Sequence, residues 1–194
     1  MTTSPPRSAR VQSATVRLRG AFVEQRFGVD ARQRYVASAS PALREVLLRD
    51  AKSASTWVDF DLFIEATVLA DKLFGRGDLG LAWEIGRFAA THEVGVWKNL
   101  LMRHIRPTLL LSIASGAWNH HYDGGRLVSR ATGSNSVLVS IEGFPTPHRS
   151  HCQSIAGWMQ GSLELGPRKD CRVEETQCRA RGGSACEFKL TWGG

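Results

Sequence analysis

Apolar positions change period about two-thirds of the way along the chain. Up to Tyr122 they recur mostly three and four residues apart, the repeat of an amphipathic helix; after it they alternate, the repeat of a half-buried strand. "PALREVLLRDAK" predicts a helix opened by Ser40 as N-cap and Pro41 in the first turn. "DLFIEATVLADKLFG" predicts a second, capped by Asp59 or Asp61, burying Leu62, Phe63, Ala66, Leu69, Ala70 and Leu73, and stopped by Gly75. "GDLGLAWEIGRFAATHEV" predicts a third, capped by Asp78, in which Gly86 at mid-helix implies a close neighbour. "GVWKNLLMRHI" and "PTLLLSIASGAWNHHY" read as two more helical segments, separated at Pro107. Ahead of all these, residues 1–13 are Ser-, Thr-, Pro- and Arg-rich and are expected to be a disordered tail, and "TVRLRGAFVEQRF" alternates well enough to be read as a short strand.

Downstream, "RLVSRAT" and "SVLVSIEGF" form an expected hairpin, "SHCQSIAGWMQGSLEL" a helix, and "DCRVEETQC" with "ACEFKLTW" a closing hairpin around "RARGGS". Helices first and antiparallel strands last make an α+β fold, with residues 14–194 as one domain. The formal charge of +7 admits an anionic partner, but the arginines are scattered and no nucleic-acid-binding signature accompanies them, which disfavours nucleic acid. No apolar run is long enough to span a membrane, and no apolar leader opens the chain, so a cytoplasmic protein is expected. In that compartment thiols stay reduced, and four cysteines point to metal, chemistry or burial before disulfides.

Cys152, Glu175, Cys178 and Cys186 stand out. Thiolates and a carboxylate are acceptable zinc ligands, and a hairpin returns Cys178 and Cys186 to one neighbourhood. Glu175 and Cys178, three apart, face opposite ways in a regular strand, so the strand must bend or end near Gln177 if both are ligands. There is no CxxC pair, and cysteine is also a small buried hydrophobe, so both readings stand on the residues alone. Cys171 shares the face of Glu175 by alternation and is an alternative fourth ligand.

From "CQSIAGWMQGSLELG" through "VEETQCRARGGSACEFKLTW" the chain resembles the 4-vinyl reductase-like domain, including the N-terminal sensors of aromatic-responsive bacterial activators. "RGDLGLAWEIGRFAA" and "WNHHYDGG" resemble the same superfamily more diffusely. The resemblance implies the NO-signalling and Golgi-transport ligand-binding fold, helices packed on a C-terminal antiparallel sheet, a group that also contains haem-NO-binding proteins and vesicle-tethering subunits. It further implies a structural Zn²⁺ held by Cys152, Glu175, Cys178 and Cys186, four ligands that leave no open position for catalysis.

The resemblance also implies a mostly apolar pocket for a small apolar or aromatic ligand, with His104, Trp83, Trp118, Phe144, Trp158 and Val173 as lining residues. The expected protein is a non-catalytic sensor, a homodimer that signals through a partner protein, because the activators' ATPase and DNA-binding portions do not follow here. Adjacent His120 and His121 point about 100° apart on a helix, which disfavours a second metal or haem there; His148 and His151, just before Cys152, are minor alternatives as metal partners. A non-catalytic adaptor of the same fold is the alternative, and an enzyme of pigment or tetrapyrrole metabolism the third reading; no phosphate loop or nucleophile elbow supports catalysis.

Overall fold

The computed structural model describes residues 8–50, 53–93, 115–166 and 168–193. Strand β1 (Arg10–Gln12) leads into helix α1 (Ser13–Phe27), followed by α2 (Val29–Ser38) and α3 (Pro41–Leu48). Strand β2 (Trp57–Asp59) pairs antiparallel with β1 and runs into α4 (Phe60–Phe74) and α5 (Gly80–Glu93). A helical stretch over 115–121, α6, precedes the hairpin β3 (Arg126–Gly133) and β4 (Ser136–Glu142). Helix α7 (Arg149–Glu164) and the hairpin β5 (Lys169–Gln177) and β6 (Cys186–Gly193) complete the chain. The four late strands form one antiparallel sheet in the order β3-β4-β6-β5. The α+β architecture, with helices on a C-terminal antiparallel sheet, is as expected.

The N-terminus departs from expectation in two places. Arg10–Gln12 is a paired strand and α1 begins at Ser13, so the expected tail does not extend through residues 10–13. Arg10 holds this strand in place: its N–H and Nε both bind the Asp123 carboxylate at 2.6 Å. "TVRLRGAFVEQRF" is helical throughout. Val16, Arg17, Leu18 and Arg19 alternate in hydropathy, but the buried set includes Thr15, Arg19, Phe22 and Val23, which is helical spacing. The misleading residue is Arg19, a charged side chain on the inward face.

Several helix signals act as expected. Ser40 Oγ accepts the Leu43 N–H at 3.2 Å with Pro41 in the first turn. Asp59 occupies the N-cap position of α4 without a side-chain bond. At α5, Asp78 Oδ1 takes the Gly80 N–H, but the main cap comes from another helix: buried Asp71 of α4 accepts Leu79 N–H at 2.9 Å and Leu81 N–H at 3.0 Å. Two backbone donors that the helix start leaves without partners are met by one carboxylate.

Helices α5 and α7 cross at backbone contact. A Cβ on Gly86 would stand 1.9 Å from Ser154 O, and one on Gly157 would stand 1.9 Å from Trp83 O. Gly86 therefore does what its mid-helix position implied, and Gly157 answers it from the partner helix. Because α7 also lies against β5 and β6, it is the member shared by helices and sheet. The inward face of the sheet pairs Val137 with Leu190, Val139 with Phe188 and Ile141 with Cys186. Above it, Phe60, Phe63, Tyr122, Phe144 and Trp118 surround His151, with the Phe60, Phe144 and His151 rings about 4.9 Å apart.

Candidate metal centre and internal cavity

Three elements deliver one buried cysteine each. Cys152 comes from the first turn of α7, Cys178 from the end of β5, and Cys186 from the start of β6. Cys178 is followed by a 3₁₀ turn (Arg179–Arg181), Gly182 at φ 84, and Gly183, whose N–H returns to Cys178 O at 2.9 Å. A Cβ on Gly183 would sit 2.9 Å from Cys178 O, so the close turn that fixes Cys178 requires glycine there.

The sulfurs of Cys152, Cys178 and Cys186 lie within 4.8 Å of one another. Cys152 Sγ is 3.6 Å from Cys186 Sγ and 3.8 Å from Cys178 Sγ. A disulfide needs about 2.0 Å. Ligand sulfurs about 2.3 Å from a tetrahedral zinc stand about 3.8 Å from one another. The spacing suits a shared cation and excludes a bond between these sulfurs.

Glu175 approaches from β5. The register of β5 against β6 slips between Glu175 and Gln177, placing an extra residue just where the strand had to bend. Glu175 Oε2 is held by Arg181, while Oε1 is buried with no hydrogen-bond partner among the described residues. A buried carboxylate oxygen without a partner costs free energy, and a cation is the partner its chemistry wants. Its carboxylate lies outside the three-sulfur cluster as drawn.

Electrostatics separates the thiols. Cys152 donates to Cys186, which raises the Cys152 pKa, with burial adding to the effect. That same bond, with the Arg179 N–H and charge, lowers Cys186 to about 6 despite burial. One thiolate among neutral thiols is therefore the metal-free arrangement; three thiolates need a cation to offset their repulsion.

The other expected metal partners are elsewhere. Cys171 is four residues from Glu175, about 13 Å along a strand, and its Sγ faces Arg168 O at 3.7 Å. His148 caps α7, its Nδ1 accepting Ser150 N–H at 3.2 Å, and His151 is enclosed by the aromatic cluster. His151 Nε2 has no partner among the described residues, and burial lowers its pKa to about 3. His120 and His121 rings stand at 81°, and His121 Nδ1 meets Thr15 Oγ1 at 3.0 Å.

A cavity of about 50 Å³ lies between α1, α5, α6 and α7. Trp118, Trp158, Ala89 and Ile155 give it apolar walls; Thr15, Arg19, His121 and Ser154 are its polar side. Of the expected lining residues, the structure brings Trp118 and Trp158 together here. The rest require correction. Trp83 faces a groove on the other side of the α5–α7 pair with Phe22, Glu84 and Arg87. Phe144 is a core ring, and Val173 packs on the sheet opposite Leu190. His104 lies outside the described residues. The polar side went unseen because Thr15 and Arg19 belong to the segment read as a strand; read as a helix, Thr15, Arg19 and Phe22 fall on one stripe. As the described residues bound it, the cavity is far below the roughly 300 Å³ at which drug-sized ligands begin, so they offer no space for a haem.

The family model of the 4-vinyl reductase domain matches residues 139–191, the segment containing β4, α7 and the final hairpin. No curated protein matches the chain. Solved structures do. An H-NOX protein from S. oneidensis in the Fe(II) ligation state superposes with TM-score 0.70 at 11% identity, covering 94% of this chain and 96% of that one. The Fe(II) unliganded H-NOX protein from K. algicida gives 0.66 at 11% identity, covering 94% and 97%. An oxygen-binding H-NOX domain related to soluble guanylate cyclases, in its oxygen complex, gives 0.66 at 12% identity, covering 94% and 95%. At such identities the likeness establishes the NO-signalling fold and nothing about the ligand.

Proposed function

We propose that this protein is a non-catalytic, small-molecule-binding sensory domain whose sheet and ligand-bearing helix are fixed by a structural zinc. The observation that carries the reading is the double role of α7. Its first turn supplies Cys152 to the sulfur cluster, and its next turns supply Ser154, Ile155 and Trp158 to the cavity. A cation at the sulfurs would pin the same helix that a ligand would touch. Cys152, Cys178 and Cys186 would hold it, with the partnerless Oε1 of Glu175 available as fourth ligand after a small side-chain adjustment, and Arg181 would orient that carboxylate. Zinc would add folding free energy and a rigid floor, with no open position for a reacting water. Output would pass to a protein partner, the domain acting as a cytoplasmic homodimer.

Two measurements test this. Elemental mass spectrometry of protein purified without added metal should find about one zinc per chain, lost in Cys178→Ser together with a lower melting temperature. Tryptophan fluorescence, reporting on Trp118 and Trp158, should respond saturably to members of a panel of small aromatic and aliphatic compounds. Zinc loss without any change in melting would overturn the structural role of the metal. No saturable response across the panel would overturn the sensor and favour the adaptor, whose contact surface would be sought where Val29 and Leu48 are 59% and 63% exposed.

A further inference from the structure

We infer that the cavity selects an anionic ligand: a small carboxylate whose head sits against Arg19 and whose apolar body lies between Trp118 and Trp158. This rests on the small-molecule reading above and names the ligand's chemical class.

The argument begins with where Arg19 sits and how it is aimed. It is 2% exposed, in the middle of α1, and bonded to α4 and α7. A guanidinium is rarely buried this deeply, because desolvating its charge costs several kcal/mol. Its NH1 group donates to the Thr15 carbonyl, Nε donates to Thr67 Oγ1 at 3.4 Å, and NH2 donates to Ser154 Oγ at 3.2 Å. Its Cζ stands 3.8 Å over the Phe63 ring. These contacts lock the plane of the fork and set it in the cavity wall beside Ser154.

The charge acts on the cavity. Arg19 and Ser154 both line it, and none of the described residues that line it is acidic. The guanidinium works against protonation of His121 and His151, in each case after burial. His121 stays neutral near pH 7, so the polar side presents one fixed positive charge, an imidazole and two hydroxyls. A planar guanidinium in a dry site is matched by a planar carboxylate, with which it makes charge-assisted hydrogen bonds. About 50 Å³ is room for such a head group and little else. The apolar body would extend toward the surface past Trp158 and Ala117, both only partly buried. A neutral aromatic alcohol would gain the walls and an ordinary hydrogen bond, without the charge-assisted pair.

The test compares isosteres on the full chain. Benzoate, benzyl alcohol and acetate are titrated against the wild-type protein and Arg19→Met by tryptophan fluorescence and calorimetry. Expected is a dissociation constant for benzoate at least tenfold below that for benzyl alcohol, measurable weak binding of acetate, and loss of the benzoate preference in Arg19→Met. Where Arg19→Met fails to fold, Ser154→Ala is used instead, with a smaller loss expected, and the wild-type comparison decides by itself. Benzyl alcohol binding as tightly as benzoate would overturn the anionic assignment and leave the sensor reading standing. If neither compound binds, both readings fall for this cavity.

Discussion

Gly157→Ala should lower stability even though it improves helix propensity, and the two effects have opposite signs. In a helix interior, alanine is favoured over glycine by about 1 kcal/mol. At Gly157 the added methyl would lie 1.9 Å from the Trp83 carbonyl oxygen of α5 and 2.8 Å from its carbon. A carbon–oxygen contact needs about 3.3 Å, so the helices must part by about 1.4 Å at their crossing. Both clashing groups are backbone, which no rotamer change relieves. Overpacking of side chains costs roughly 1–3 kcal/mol, and a backbone clash belongs at or above the top of that range. The net is a loss of about 2 kcal/mol or more, a melting temperature lower by roughly 4–8 °C for a domain of this size. Gly116→Ala is the internal control. Nothing lies within 4 Å of its added Cβ in α6, so the same exchange should be neutral or stabilising by about 0.5 kcal/mol. Thermal and urea denaturation of the two variants beside the wild-type protein decide the matter. Gly157→Ala melting at or above the wild-type temperature would refute the close crossing. The crossing matters to function because Gly86 and Ser154, its other contact pair, line the cavity.

Asp71→Ala removes the acceptor for two α5 backbone N–H groups and should cost about 2–3 kcal/mol by urea denaturation; a loss under about 0.5 kcal/mol would mean water replaces the cap. Gly183→Ala should weaken zinc retention against a chelator more than Gly182→Ala does. The first pushes on Cys178, whereas the second meets open space and carries only the left-handed backbone penalty of about 1–2 kcal/mol. Equal retention in the two would sink the role given to the turn. His121 has its pKa lowered from 6.5 to about 4, by burial first and then by His120 and Arg19. Its folded value lies below its unfolded one, so its contribution is complete above pH 6.5 and is lost as pH falls toward 4, by up to about 1.4 kcal/mol per unit. His121→Gln should make the stability–pH curve shallower in that window, and an unchanged slope would contradict the burial.

How much of this was legible in the residues depends on whether a feature is local. Ser40 and Pro41 announce the start of α3, and "RARGGS" between alternating runs announces the last hairpin, because capping and turn chemistry are complete within a few residues. The sulfur cluster was legible for a related reason: β5 and β6 are joined by a short turn, so Cys178 and Cys186 meet whatever the rest of the chain does. The bend demanded by Glu175 and Cys178 follows from strand geometry alone, and the slip between Glu175 and Gln177 supplies it. Gly86 was half legible. A mid-helix glycine implies a neighbour, but identifying that neighbour as Gly157 takes the third dimension.

The cap of α5 and the polar side of the cavity belong to a different class. Asp71 acts on another helix, and Arg19 is buried by elements distant in sequence, Ser154 among them at 135 positions away. Hydropathy assigns such residues to the surface, and in α1 that assignment also turned a helical stripe into an apparent strand. The error is informative about chemistry. Natural cores are consistent across levels except where a function requires otherwise. Here the one charged side chain that broke the helical pattern is also the one that faces the cavity. A core arginine that served packing alone would be replaced by methionine or leucine without loss, so the ligand comparison on Arg19→Met separates a structural guanidinium from one retained to receive an anion.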